Sequence, residues 1–135
     1  MTIQPYLFFE GRADEAVAFY QKVFGAELQM LMRYKDSPVP EGQIPPGSEN
    51  KVMHMSMKIG DDVVLGSDGH CSGEPGFQGF ALSYAAKDVG DADHVFEALS
   101  DGGAMRMPLG KTFFSPRFGM VADRFGVLWI VIVHA

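Results

Sequence analysis

The sequence predicts an α+β domain built from two β-α-β-β-β modules in tandem, and three observations carry that prediction. Residues 4 to 30 recur loosely at residues 80 to 107, where Glu15 to Val23 laid onto Asp91 to Leu99 matches an alanine, a bulky apolar pair and a later Val or Leu. In each copy a helical apolar period gives way to glycine and then to an alternating strand. With 135 residues, 47% of them apolar, the chain can bury one substantial core. The expectation is therefore one domain, with module one at about residues 1–68, a linker at about 69–78 and module two at about 79–135. Two similar halves commonly set two sheets against each other, and the space between such sheets suits a ligand.

The elements follow in order. Ile3 to Phe9 is aromatic and branched without a helical period, so it reads as a mostly buried strand. From Asp14 to Phe24, Ala16, Phe19, Tyr20 and Val23 recur at helical spacing, with acids in the first turn and Gly25 placed to end the helix. Leu28 to Tyr34 reads as a second strand. Asp36 to Asn50 carries four of the eight prolines and no period, so it is expected to form a long excursion suited to covering a pocket. Val52 to Ile59 alternates, with Met53, Met55, Met57 and Ile59 on one face and Val52, His54, Ser56 and Lys58 on the other. Gly60-Asp61-Asp62 supplies a turn into a strand at Val63 to Leu65. Gly66 to Gly79 connects the modules, and it does not run from a strand into a helix as a phosphate-cradling loop would.

The second module repeats the order. Phe80 to Ala85 reads as a strand and Asp88 to Leu99 as a helix with Ala92, Val95, Phe96 and Leu99 as its buried stripe. Asp88 followed by Asp91 is a weaker relative of the Ser/Thr and Glu capping box, and Gly102-Gly103 stops the helix. His94 then points to solvent. Strands are expected at Ala104 to Leu109, Phe118 to Ala122 and Val127 to Val133, the last a near-continuous apolar run that predicts burial on both faces. Trp129 falls on the side opposite Ile130 and is expected to anchor helix against sheet. The nine methionines read as adaptable core filling.

Charge and composition exclude several classes. A net charge of -6 without clustered Lys or Arg argues against nucleic acid. No apolar run approaches membrane-spanning length, and Met1 leads into a strand-like segment without a basic leader, so a cytoplasmic protein is expected. Cys71 stands alone and cannot form an internal disulfide. His70 beside it lacks zinc-site spacing.

Phe19-Tyr20 followed after two residues by Val23-Phe24-Gly25, within two β-α-β-β-β units, resembles the vicinal oxygen chelate superfamily of glyoxalases, extradiol dioxygenases and bleomycin- or fosfomycin-resistance proteins. Pro5 to Gly11 and the run from Arg117 to Val121 and from Asp123 to Trp129 are similar to its PhnB-like branch. The resemblance spans nearly the whole chain and implies a cupped, glyoxalase-like sheet with helices on its outer face, and a homodimer. Some members of the branch carry a label as demethylubiquinone methyltransferases, yet this chain has no nucleotide-type glycine motif for a methyl donor.

The metal-dependent members that the chain resembles hold a divalent ion on four strand positions, with open places where two substrate oxygens chelate. Carried onto this sequence, those positions fall on Gln4 or its neighbours, near Val64, on Gly79 and on Ile130. Three of the four residues cannot bind a metal, so neither a metal nor another cofactor is expected. Two readings follow. The first is a protein that binds or sequesters a small molecule in an apolar cavity lined by Phe9, His54, Ser56 and Ile130, with Arg117 near a strand end able to grip an anion. The second is a metal-dependent lyase, isomerase or dioxygenase that uses Gln4 or His54 among non-standard ligands. No catalytic residue is assigned.

Overall fold

The computed structural model describes residues 1–135 apart from the side chain of Glu41. Among the described residues it holds two helices and eight strands in two four-stranded mixed sheets, an α+β fold. The chain divides into two units, Met1–Pro75 and Gly76–Ala135.

The first unit runs β1 (Tyr6–Phe8), α1 (Ala13–Phe24), β2 (Glu27–Arg33), 3-10 turns at Tyr34–Asp36 and Glu41–Gln43, β3 (Val52–Ile59) and β4 (Asp62–Ser67). Its sheet has the order β1-β4-β3-β2, with β1 parallel to β4 and the other pairs antiparallel. The helix turns Ala13, Ala16, Val17, Phe19, Tyr20 and Val23 inward. They meet Leu7, Met55, Met57 and Val64, the residues of matching parity on the strands, all buried. Gly25 adopts the left-handed conformation with φ 68°, and its N–H caps the Gln21 carbonyl.

The N-terminus of α1 has no side-chain cap of its own, because Arg12 occupies the cap position. A carboxylate 55 residues away supplies the acceptor. Asp68, fully buried, receives N–H groups of Gly11 (3.0 Å) and Ala13 (2.8 Å) on Oδ1 and of Val52 (2.7 Å) on Oδ2. One side chain thus fastens the start of the helix, the start of β3 and the end of β4. A second tie is on the surface, where the two terminal guanidinium nitrogens of Arg33 donate to the two oxygens of Asp14 at 2.9 Å. That hydrogen-bonded arginine holds the Asp14 carboxyl below the usual carboxylate range.

The second unit runs β5 (Leu82–Ala85), α2 (Val89–Ser100), β6 (Ala104–Gly110), β7 (Phe118–Ala122) and β8 (Leu128–Ile132), with the sheet order β5-β8-β7-β6. Asp88 accepts the Asp91 N–H at 2.8 Å, and the Asp91 carboxylate accepts Lys87 N–H and the Tyr84 hydroxyl. Ala92, Val95, Phe96 and Leu99 are buried. The helix lies close enough to the sheet that a Cβ on Gly119 would stand 2.8 Å from Phe96 Cε1 and 2.9 Å from Leu109 Cα, so only glycine fits there. Asp123 is the polar key of this unit: Oδ1 receives Phe125 and Val127 N–H groups and Oδ2 the Trp129 indole N–H at 2.9 Å.

Three details depart from the sequence expectation. The first strand starts at Tyr6, not Ile3, which is fully exposed; Pro5 has no N–H and offers the ladder only its carbonyl, taken by Leu65. Val52 is buried rather than level with His54, because the β2–β3 register shifts between Met32 and Arg33, so that Arg33 pairs with Val52 and Met32 with His54. The last strand is not buried on both faces. Trp129 and Val131 are buried while Leu128, Ile130 and Ile132 are half-buried, since α2 covers one face only.

Replacing Asp68 by alanine strands two buried N–H groups, of Ala13 and Val52, and a half-buried one, of Gly11. The expected loss is about 3–5 kcal/mol in urea unfolding, since each unsatisfied donor costs roughly 1–3 kcal/mol. Tyr84 makes a pH prediction. Burial, followed by its hydrogen bond to Asp91, pushes the phenol up to about 12. An acid raised above its unfolded value of roughly 10 contributes stability that is present below that pH and lost as pH climbs toward 12. Tyr84→Phe is therefore expected to be less stable at neutral pH and to show a flatter decline above pH 10 in thermal melts.

Candidate functional site

Strand parity divides the first sheet into a helix face and an open face. On the open face one complete row runs Tyr6, Leu65, Ser56, Met30 through successive strand pairings. Phe8 stands beside Ser67 and His54 beside Met32 in the adjoining positions. Much of this apolar surface is accessible: Tyr6 is 37% exposed, Phe8 53% and Met30 39%. Monomeric proteins seldom leave contiguous aromatic surface open without a use for it.

Within that surface Tyr6 and His54 form a pair. The Tyr6 hydroxyl and His54 Nδ1 lie 3.0 Å apart, the rings are 5.5 Å centroid to centroid, and Phe8 lies 5.1 Å from Tyr6. The Nε2 of His54 has no protein partner among the described residues. Near one end of the face, Tyr34 donates its hydroxyl to the Gly69 carbonyl at 2.9 Å, and burial, then the neighbouring Cys71, Asp68, Tyr6 and Glu10, raise its phenol above the ordinary value. Glu10 and Cys71 both take positive φ, at 51° and 57°, and the Glu10 carboxylate accepts the His70 N–H at 2.9 Å. That carboxylate organises the loop.

The expected site residues separate. His54 and Ser56 share the open face of the first sheet. Phe9 does not join them: it is fully buried on the helix side, 6.2 Å from the Tyr20 ring, because it differs in parity from Tyr6 and Phe8. Phe8 is the phenylalanine that the open face presents. In the second unit, Ile130 lies half-buried in the row Ser83, Ile130, Met120, Met107, where the serine is the one polar side chain. Arg117 lies beyond the end of β8, its carbonyl taken by Val133 N–H. Its Nε meets Asp93 of α2 at 3.2 Å and another guanidinium nitrogen meets the Pro116 carbonyl. It borders a surface cavity of about 430 Å³ with Lys111, Phe113 and Phe114.

Of the positions that could hold an ion in metal-dependent members of this fold, Gln4 is exposed ahead of β1, Val64 is buried against the helix, and Gly79 precedes β5 with φ 81°. Among the described residues no three His, Cys, Asp or Glu side chains come together to hold a metal ion. This donor set does not fit a divalent-ion site. Tyr6 as a site residue and Asp68 as a scaffold residue are findings of the structure beyond the sequence expectation. The parity shared by Tyr6 and Phe8 was the available signal for the first; nothing local marks Asp68, whose partners lie far away in sequence.

Comparison with known proteins then settles the relationship. The family described as 3-demethylubiquinone-9 3-methyltransferase matches residues 1–132. The chain belongs to this PhnB-like family. Protein YjdN of Escherichia coli is 30% identical, with 98% of this chain and 95% of that protein covered. The crystal structure of PA1353 from Pseudomonas aeruginosa is 35% identical, with a TM-score of 0.87 over 99% of this chain and 98% of that one. The PhnB protein of Bacillus cereus is 30% identical, with a TM-score of 0.82 over 98% and 99%. At 14% identity, the fosfomycin resistance protein FosX of Listeria monocytogenes shares the vicinal oxygen chelate fold, with a TM-score of 0.62 over 100% and 93%. Among the described residues no helix is long and apolar enough to cross a membrane.

Phe8 and Phe9 offer a direct check of the two faces. Phe9→Ala is expected to cost about 3–5 kcal/mol in chemical unfolding, as for other buried phenylalanines. Phe8→Ala should change stability by well under half of that.

Proposed function

We propose that this PhnB-like protein binds or sequesters a small apolar, aromatic molecule on the open sheet face of its first module, as a cytoplasmic homodimer and without the metal used elsewhere in the fold. The observation that carries this reading is the exposed Tyr6, Phe8 and Met30 surface with His54 set into it. Aromatic rings supply stacking area at small conformational cost, methionines adapt to ligand shape, and the imidazole fixes orientation by a polar contact. His54 and Ser56 contribute the polar atoms. Taken by itself, the second module offers Ile130 as an apolar contact and Arg117 as a cation for an anionic group, each a ligand contact of that module alone. Donor chemistry supports the metal-free reading. Leucine, methionine and serine surround a histidine whose Nδ1 is already engaged by Tyr6.

Two measurements on the purified, tag-free protein test this. Elemental analysis is expected to find no stoichiometric divalent ion; an ion present at one per chain and lost in His54→Ala would overturn the metal-free reading. A thermal-shift screen of aromatic metabolites is expected to raise the melting temperature of the wild type for at least one compound and of Phe8→Ala by much less. A flat result across a broad aromatic set would overturn the binding reading.

A further inference from the structure

The Tyr6–His54 contact carries more than a binding surface. A phenol hydroxyl is a stronger donor than an imidazole N–H, and an imidazole nitrogen is a stronger acceptor than a phenol oxygen. Across 3.0 Å the preferred arrangement is therefore Tyr6 O–H donating to His54 Nδ1. A neutral imidazole with an acceptor Nδ1 carries its proton on Nε2. Nε2 is the nitrogen without a protein partner among the described residues, so the open face presents one N–H donor bordered by Tyr6, Phe8 and Met32.

The geometry points to a ligand that is a planar aromatic compound bearing a carbonyl acceptor, such as an aryl ketone, with its ring on the Tyr6 and Phe8 surface and its oxygen on His54 Nε2–H. This rests on the binding role proposed above and narrows it from apolar molecules in general to one class. Tyr6 is a positioning residue: it fixes which imidazole nitrogen holds the proton. A ring without the acceptor would keep the stacking and lose the hydrogen bond. A phenol would have to offer its weakly accepting oxygen to Nε2–H, leaving its own proton unused.

The test uses 2-acetylnaphthalene and 2-ethylnaphthalene, which match in size and differ in the carbonyl. Titration calorimetry on the full chain is expected to show the ketone bound about tenfold more tightly, the scale of one well-made hydrogen bond. In His54→Phe the hydrocarbon should still bind and the preference should fall to within about twofold, whereas in Tyr6→Phe it should fall only to about fivefold, the loss that an even tautomer mixture imposes. ¹⁵N NMR of histidine-labelled protein is expected to find His54 protonated on Nε2 in the wild type and in mixed tautomers in Tyr6→Phe. That measurement stands even if a variant folds poorly. Equal affinities in the wild type, a preference that survives His54→Phe, or a wild-type Nδ1–H tautomer would each overturn the inference while leaving the binding role intact. Failure of both compounds to bind would overturn the inference together with the binding role for aromatic ligands of this kind.

Discussion

A single buried carboxylate organises the first half of this molecule. A helix start needs acceptors for its first N–H groups, and the local sequence at Gly11-Arg12-Ala13 provides none from a side chain. Asp68 supplies that acceptor from the far end of β4 and spends its remaining oxygen on Val52 at the head of β3. The same residue closes the chain around itself, because its N–H goes to the Val52 carbonyl and its carbonyl takes the Cys71 N–H. The helix docks only where the sheet ends correctly. The parity of β1, β3 and β4 relative to that helix, and hence which side chains remain on the open face, follows from this anchoring.

Once the helix is placed, parity does the rest. Leu7, Met55, Met57 and Val64 go under it, and Tyr6, Leu65, His54 and Ser56 are left outside. A one-residue difference in the first strand separates a core residue, Phe9, from an exposed one, Phe8. The consequence is chemical as well as architectural. Tyr6 can reach across β4 to His54 only because both residues stand on the same side of the sheet, and the hydrogen bond between them gives an otherwise apolar surface its directional group.

Much of this was legible in the sequence. The duplicated order of elements, the helix over residues 13–24 stopped by Gly25, the second helix begun by Asp88 and Asp91, and the alternation that sets His54 with Ser56 all follow from local periods and caps. What local pattern cannot carry is partnership over distance. The acceptor for α1 lies 55 residues from the helix it caps, and the shift that buries Val52 belongs to the pairing of two strands, not to either alone. The ion pair of Arg117 with Asp93, 24 residues away on α2, is of the same long-range kind. The burial of Phe9 has a simpler reason for being illegible: in a run as uniformly apolar as Leu7 to Phe9, composition gives no phase, and only the paired strand supplies it.

The two buried aspartates have a consequence for how this chain tolerates change. Asp68 accepts from Gly11, Ala13 and Val52 in the first unit, and Asp123 accepts from Phe125, Val127 and the Trp129 indole in the second. Repeated halves that shared one polar keystone would have to drift together. Here each half carries its own carboxylate with its own set of donors, so neither polar scaffold requires the other half to keep the same residues. That independence lets one copy hold a tyrosine and a histidine on its open surface while its twin holds isoleucine and methionine.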